Sequence, residues 1–452
     1  MYRRYERDLH LWYEKSNRKP LVIRGARQVG KSTLVRQFCK DKGLDLFEVN
    51  LEKHQALNSV FALKKPLSVL EAVEDILQRK IRPGKGNLLF LDEIQAAPEA
   101  LACLRYFFEE LNELPVLCAG SLLEFTLNDH QYSMPVGRIE YLHMGPMSFG
   151  EFLLAKKENF LLERLSTLIK FMPFTQELHA RANQLLREYL FVGGMPEAVA
   201  TLVREGIDAT HPVQAQIVQT YQEDFLKYAK KAHLQKIQKV FQYAFSNPCQ
   251  KVKYSSISQD DLSRDLKSNL QLLTQALVIH PVYHSACGGL PLSAGENQKV
   301  FKLLALDVGL VAHLQGLTWA TFKNYGENEI LTEGALAEQF VGQHLLDHRP
   351  SYNKPRLNYW LREGKADNAE VDFILQKDSS LLAIEVKAGA AGKIRSLHQW
   401  MLECKVKNKK AMRFNLSPGE ETLVKHKYEN RNLKYKLLTL PLYMIDHWDR
   451  FF

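Results

Sequence analysis

A chain of 452 residues with 46% hydrophobic content has room for about three domains of ~150 residues and enough apolar side chains to bury real cores, which excludes disorder as its organising state. Lys and Arg number 60 against 51 Asp and Glu, a net charge of +9 that suits nucleic acid or an anionic surface and selects neither. The six cysteines, Cys39, Cys103, Cys118, Cys249, Cys287 and Cys404, form no C-x-x-C pair, so such zinc and dithiol redox motifs are excluded and the thiols read as buried groups in a reducing compartment. The opening Met1-Tyr-Arg-Arg-Tyr-Glu-Arg-Asp has both charge signs and no apolar stretch behind it. No run approaches the roughly 18 apolar residues of a membrane span, so a soluble cytoplasmic protein without a membrane partner is expected.

Taken in chain order, Pro20 to Phe38 gives a β-prone run, a glycine-bounded loop and then a helical period at Leu34, Val35 and Phe38. Apolar runs recur at Leu44 to Leu51, Asn87 to Leu91 and Leu114 to Ala119 with helix-like stretches between them, the pattern of a parallel α/β sheet. Residues 151–220 have helical spacing (Phe152, Leu153; Leu185, Leu186, Tyr189) broken by Gly193-Gly194-Met195-Pro196, and read as a helical lid on the first domain. In residues 221–325, a helix face with Leu262, Leu266, Leu270, Leu273 and Leu277 leads into Val278 to Tyr283 and, past a Gly-Gly turn, Lys299 to Leu304; helices followed by a hairpin suggest a winged helix. Residues 326–452 form a further α/β unit with strands at Glu370 to Leu375 and Leu381 to Val386. The fold expected is thus α/β, in four parts: 1–150, 151–220, 221–325 and 326–452.

Gly25-x-x-x-x-Gly30-Lys31-Ser32 is a Walker A pattern lying where its mechanism needs it, after a strand and at the start of a helix. Backbone N–H groups of Gln28, Val29, Gly30, Lys31, Ser32 and Thr33 would cradle phosphates at the helix N-terminus. Lys31 would reach the β- and γ-phosphates, with the Ser32 hydroxyl on Mg²⁺. Leu88-Leu-Phe-Leu-Asp92-Glu93 delivers an acidic pair to the carboxyl end of a buried strand, as Walker B does. Asp92 would hold Mg²⁺ and Glu93 would polarise the attacking water. Ser121, ending a third strand, is either a sensor beside the γ-phosphate or the cap of a helix beginning Leu122-Leu-Glu124. Arg138, in Pro135-Val-Gly-Arg-Ile139, is either an arginine finger or a surface residue. Lys251, Lys253, Arg264 and Lys267 could meet phosphates or simply face solvent, with Asp260, Asp261 and Asp265 diluting their charge. His280 and His284 lack a partner set and read as structural.

Gly25-Ala-Arg-Gln-Val-Gly-Lys-Ser, Phe90-Leu-Asp-Glu-Ile-Gln, Gly137-Arg138, Pro146-Met-Ser-Phe-Gly-Glu-Phe152, Tyr189-Leu-Phe-Val-Gly-Gly-Met-Pro196, Leu306-Asp-Val-Gly-Leu310 and Ile384-Glu-Val-Lys-Ala-Gly389 together resemble the bacterial and archaeal AAA-type P-loop ATPases that carry a C-terminal domain of unknown function with a PD-(D/E)xK restriction-endonuclease-like core. Ala119 and Leu122 depart from that pattern where it usually shows hydroxyl residues. The resemblance implies an ATPase core, helical lid, winged-helix segment and nuclease-like end.

In that end, Glu370 to Lys387 reads as a hairpin turning at Lys377 to Ser380, which opposes Asp372 to Glu385 and Glu370 to Lys387 and puts all four on one face. Opposed carboxylates repel unless a cation or shared proton offsets the repulsion. A divalent ion on Asp372 and Glu385 with Lys387 beside it is the arrangement of PD-(D/E)xK nucleases, where metal activates water and lysine stabilises charge at the phosphate. The resemblance implies a further carboxylate, Glu338, from the preceding helix. The expectation is an ATP-hydrolysing, nucleic-acid-associated protein whose ATPase state controls this domain. ATP and Mg²⁺ are its cofactors, with Mn²⁺ an option at the C-terminal site. DNA ranks ahead of RNA as a partner, and a homo-oligomer is left open. The alternatives are an ATP-dependent switch whose end domain only binds protein or nucleic acid, and a plain ATPase.

Overall fold

Strands that a parallel sheet buries on both faces lose the polar alternation of surface strands, and Leu21–Arg24 (β1), Asn87–Asp92 (β3) and Val116–Gly120 (β4) show this as near-continuous burial. The computed structural model describes residues 1–84, 86–121, 137–167, 174–228, 234–324, 334–362, 369–387, 394–428 and 431–452. Leu122-Leu-Glu124, Pro135-Val136 and Ala388-Gly389, named above, lie outside them. The chain forms two compact units, one of residues 1–145 with 275–278 and 349–355, the other of the remainder.

In the first unit, helix Tyr5–Tyr13 (α1) precedes β1, and Lys31–Lys42 (α2), Asp45–Asn50 (β2), Leu57–Ala62 (α3), Pro66–Leu77 (α4), β3, Pro98–Glu110 (α5), β4 and Glu140–His143 (β5) follow. The sheet order is β2-β3-β4-β1-β5 and every neighbouring pair is parallel. β5 is a strand that the sequence reading lacked; its first two residues are only half-buried, so no apolar run marks it. One core layer joins Phe47, Val49, Leu89 and Leu91 of the sheet to Phe61, Val69, Leu104 and Phe107 of the helices.

The second unit opens with helices Phe149–Ala155 (α6), Asn159–Thr167 (α7), Gln176–Val192 (α8), Pro196–Glu205 (α9) and Thr210–Tyr228 (α10). Leu234–Ser246 (α11), Tyr254–Ile257 (α12), Ser263–Gln275 (α13) and the antiparallel strands Ile279–Ser285 (β6) and Glu296–Ala305 (β7) come next. After Val308–Leu314 (α14), Trp319–Asn324 (α15) and Ala335–Asp347 (α16), the chain completes an eight-stranded sheet with Leu357–Leu361 (β8), Glu370–Lys377 (β9), Ser380–Val386 (β10), helix Arg395–Glu403 (α17), Lys409–Asn415 (β11), Glu420–Tyr428 (β12) and Arg431–Pro441 (β13). Its order, β12-β13-β11-β10-β9-β8-β6-β7, runs across the boundary expected at residue 325. β6 pairs in parallel with β8, so the hairpin and the C-terminal strands share one hydrogen-bonded sheet. Leu262 is also corrected: it precedes α13 and is 65% exposed, off the buried face that holds Leu266, Leu270 and Leu273.

The glycine-rich break at 193–196 is a packing device. Asp307 caps α14 by accepting from the N–H groups of Gly309 and Leu310, and also accepts from Gly194 N–H at 2.6 Å. A Cβ on Gly193 would stand 2.0 Å from Asp307 Oδ1, so only glycine permits this approach. Tyr189 donates to the Met147 carbonyl at 2.5 Å and receives from Gln343 at 3.1 Å. The helical segment expected as a lid therefore takes its buried polar contacts from the second unit. All six cysteines are free and buried, and no described helix is long and apolar enough to cross a membrane.

Candidate functional site

The first candidate site grows from the ends of β1, β3 and β4. Gly30 caps α2 at φ 92° and Gln28 has φ 63°, left-handed values that turn the loop under the N-terminus of α2. There the unpaired N–H groups and the helix dipole favour an anion. Lys31 is only 9% exposed, and its Nζ donates to the carbonyls of Gly25 at 3.0 Å and Ala26 at 2.8 Å. Burial pushes its pKa down to about 8, against the pull of Glu93 and Asp92. Ser32 Oγ donates to Asp92 Oδ2 at 3.0 Å, and burial raises the Asp92 pKa while this hydrogen bond opposes the rise. A hydroxyl and a carboxylate already in contact are hard oxygen donors of the kind Mg²⁺ takes alongside nucleotide phosphates, so these residues fit that ion.

Glu93 has φ 52°, a conformation costing a non-glycine residue of order 1–3 kcal/mol and concentrated at functional sites. Its carboxylate accepts from Gln95 Nε2 at 2.5 Å. Gln95 is a site residue to which the sequence reading gave no role, although it stood within the quoted Phe90 to Gln95 stretch. β4 runs between β1 and β3, so the chain leaves Gly120 between the Lys31 loop and the Asp92-Glu93 pair, and buried Ser121 sits at that exit.

Arg138 is corrected. It stands two residues ahead of β5, whose Glu140 is level with Leu21 at the start of β1. The phosphate loop follows the other end of β1, roughly 10 Å of strand away. The Arg138 Nε donates to Glu109 at 2.9 Å and its side chain is 46% exposed. It is not a finger for the nucleotide site of its own chain.

The second candidate site lies in the second unit. β9 and β10 pair from Lys377↔Ser380 to Phe373↔Ile384, the register expected from a two-residue turn. Val371, Phe373, Ile384 and Val386 are buried, and Asp372 Oδ2 accepts the Val386 N–H at 2.7 Å. Glu385 is 2% exposed, its Oε1 pairs with Lys387 at 2.5 Å, and its buried Oε2 has no hydrogen-bond partner among the described residues. Burial raises the Glu385 pKa to about 8, with the Asp372 charge adding to the rise and Lys387 opposing it.

Two expectations about this cluster are corrected by one residue, Lys302 of β7. It is 1% exposed, and its ammonium pairs with Glu338 at 2.8 Å and with Glu370, while Asp372 stands 4.0 Å away. Glu370 thus meets Lys302 and Lys387 meets Glu385, because a third element brings a cation that the hairpin alone does not reveal. Glu338 is likewise taken up by an ammonium, and among the described residues no group of three His, Cys, Asp or Glu side chains is arranged to hold a metal ion. Asp372 and Glu385, with the orphaned Oε2, remain as the pair that fits a cation. Burial opposes the Lys302 charge, yet the three carboxylates outweigh it and hold the Lys302 pKa well above the usual lysine range.

Elsewhere in this unit, Lys236 pairs with Asp265 at 2.5 Å and Lys239 with Asp261 at 2.7 Å. Lys251, Lys253 and Lys267 stay exposed. His284 accepts the Leu361 N–H at 3.1 Å.

Three family models match. An AAA domain covers residues 17–153, one domain of unknown function (DUF8612) covers 183–321 and another (DUF4143) covers 333–442. Among solved structures, a Walker-type ATPase of Pyrococcus abyssi is 16% identical over 69% of this chain and 94% of its own, with a TM-score of 0.42. A RuvB variant of Thermotoga maritima is 15% identical over 65% and 91%, at 0.29. The ORC2 protein of Aeropyrum pernix is 14% identical over 72% and 96%, at 0.27. No curated protein matches the chain. Residues 17–153 are an AAA-type domain, and the chain is an ATPase.

Proposed function

We propose that ATP turnover in the first unit governs a nucleic-acid-associated second unit in which Asp372, Glu385 and Lys387 carry out metal-dependent phosphodiester cleavage. In the ATPase step, Lys31 exchanges the Gly25 and Ala26 carbonyls for the β- and γ-phosphates. Ser32 and Asp92 hold Mg²⁺, Glu93 orients and polarises water, and Ser121 reads the γ-phosphate. Gln95 keeps the Glu93 carboxylate in place.

The observation carrying the second part is the Glu385 carboxylate, buried with one oxygen on Lys387 and the other unsatisfied among the described residues, beside Asp372 on the same sheet face. A buried unpaired carboxylate oxygen costs free energy that a cation would recover. Asp372 and Glu385 would hold a divalent ion there, Mg²⁺ or Mn²⁺, which when bound would lower the pKa of a water. Lys387, about a third exposed, would offer its ammonium to the phosphate. The helices α11, α12 and α13 followed by the β6–β7 hairpin, with a single antiparallel bridge from Lys251 to Lys302, support a winged-helix reading. Lys251, Lys253 and Lys267 would then contact phosphates.

Lys302 favours a second reading, in which the ammonium among Glu338, Glu370 and Asp372 already serves as the cation and the end domain binds without cutting. Cleavage of plasmid and single-stranded DNA, with and without ATP and Mg²⁺ or Mn²⁺, separates the two. The first reading expects metal-dependent cutting that Asp372→Ala and Lys387→Ala both abolish; its absence from the wild-type protein under every condition leaves the binding module.

A further inference from the structure

The N-terminal segment, Met1-Tyr-Arg-Arg-Tyr, entered the sequence reading only for its mixed charge. In the structure Arg3 is 5% exposed. Its Nη1 donates to the Val29 carbonyl at 2.5 Å and its Nη2 to the Gly145 carbonyl at 2.7 Å. Beside it, buried Tyr5 accepts the Gly145 N–H at 3.0 Å. The loop also lies close against the chain at Met144 and Gly145: a Cβ on Gly25 would stand 2.4 Å from the Met144 carbonyl oxygen. Met144 N–H in turn donates to the Arg24 carbonyl at 2.7 Å.

We propose that Arg3 is a positioning residue for ATP binding, holding the phosphate loop in its binding shape through the Val29 carbonyl. A loop that points successive N–H groups at an anion must turn carbonyls away from it, and a buried carbonyl turned away needs a donor. Val29 is fully buried, and the Arg3 guanidinium is the donor given to its carbonyl. Gln28, on one side, holds a left-handed φ of 63° that costs a non-glycine residue free energy, so the loop has somewhere easier to relax once the clamp is removed. A guanidinium serves two carbonyls at once through its planar fork, which an ammonium on a flexible stem does less well. Gly145 ends the first stretch of the first unit, so the second arm ties the loop to the segment that follows β5.

Because the clamp acts on the loop and touches no reacting atom, its loss weakens ground-state and transition-state phosphate binding together. In the full-length chain, Arg3→Gln is expected to raise the dissociation constants of both ADP and ATP by about tenfold. KM should rise in step while kcat stays within about twofold. Arg3→Lys should fall between the variant and the wild type. Fluorescent-nucleotide titration and steady-state hydrolysis supply these values, with a nucleotide-free thermal melt to show that the variants are folded. A folded Arg3→Gln protein with wild-type affinity, or one that loses kcat at unchanged KM, overturns the proposal. Should Arg3→Gln not fold, Arg3→Lys decides it: full wild-type affinity there rejects the two-armed clamp.

Discussion

Lys31 and Lys302 are both buried, one in each unit, and their surroundings drive them in opposite directions. Lys31 rests on two backbone carbonyls, and burial brings its pKa down to about 8. Lys302 sits among three carboxylates, and its pKa stands well above the ordinary range. The first ammonium is held by neutral dipoles that a stronger anion can displace, which suits a group that must move onto a phosphate. The second is neutralised by formal charges that it neutralises in return, which suits a fixed structural counterion. Burial depresses a lysine's pKa in both places, and the partners decide whether the charge is available or committed.

The largest expected effect tests availability. Lys31→Ala should reduce ATP hydrolysis by about a hundredfold or more, through lost phosphate binding. Glu93→Gln should retain nucleotide binding and lose turnover. Nucleotide titration beside a phosphate-release assay reads both, and a Glu93→Gln protein that turns over at the wild-type rate would remove Glu93 from its role.

The next tests commitment. Lys302→Met strands Glu338, Glu370 and Asp372 without their shared cation, and should destabilise the second unit by about 3–5 kcal/mol. Lys31→Met relieves a desolvated charge but leaves the Gly25 and Ala26 carbonyls without their ammonium donor, so the two effects partly cancel and the loss should be clearly smaller. Urea unfolding of the full-length variants, followed by probes in each unit, measures the contrast; equal losses in the two variants would dissolve it.

The smallest effect is a pH dependence. The Lys31 pKa lies below that of the unfolded chain, so charging Lys31 works against folding. Stability from this group therefore rises as pH climbs from about 8 toward the ordinary lysine value. Nucleotide affinity runs the other way, since phosphate needs the ammonium: the dissociation constant should climb toward tenfold per pH unit above about 8. In Lys31→Ala that slope should be lost from any residual binding. A dissociation constant flat from pH 7 to 9.5 would mean that the loop lysine remains charged throughout.

Local order along the chain carried most of the first unit. The strand, loop and helix around Gly25 to Phe38 and the strand delivering Asp92 and Glu93 were readable because each function there resides in a contiguous stretch whose backbone conformation does the chemistry. The β9–β10 register was readable for the same reason, a two-residue turn fixing every later pair. Three things were not. Arg138 falls at the far end of the sheet because β5 runs parallel to β1, and strand direction is set by the crossover connection rather than by Arg138's neighbours in sequence. Lys302 reaches Glu338 and Glu370 across 36 and 68 residues of chain, and Arg3 reaches Val29 and Gly145 across 26 and 142, distances over which sequence periodicity holds no information. By itself, the sequence determined the phosphate loop, its acidic partners and the face on which Asp372 and Glu385 meet, since those depend on local backbone geometry. Only the tertiary structure decided which cation each buried carboxylate and carbonyl receives, because that choice is made by whichever distant side chain packing brings within hydrogen-bonding reach.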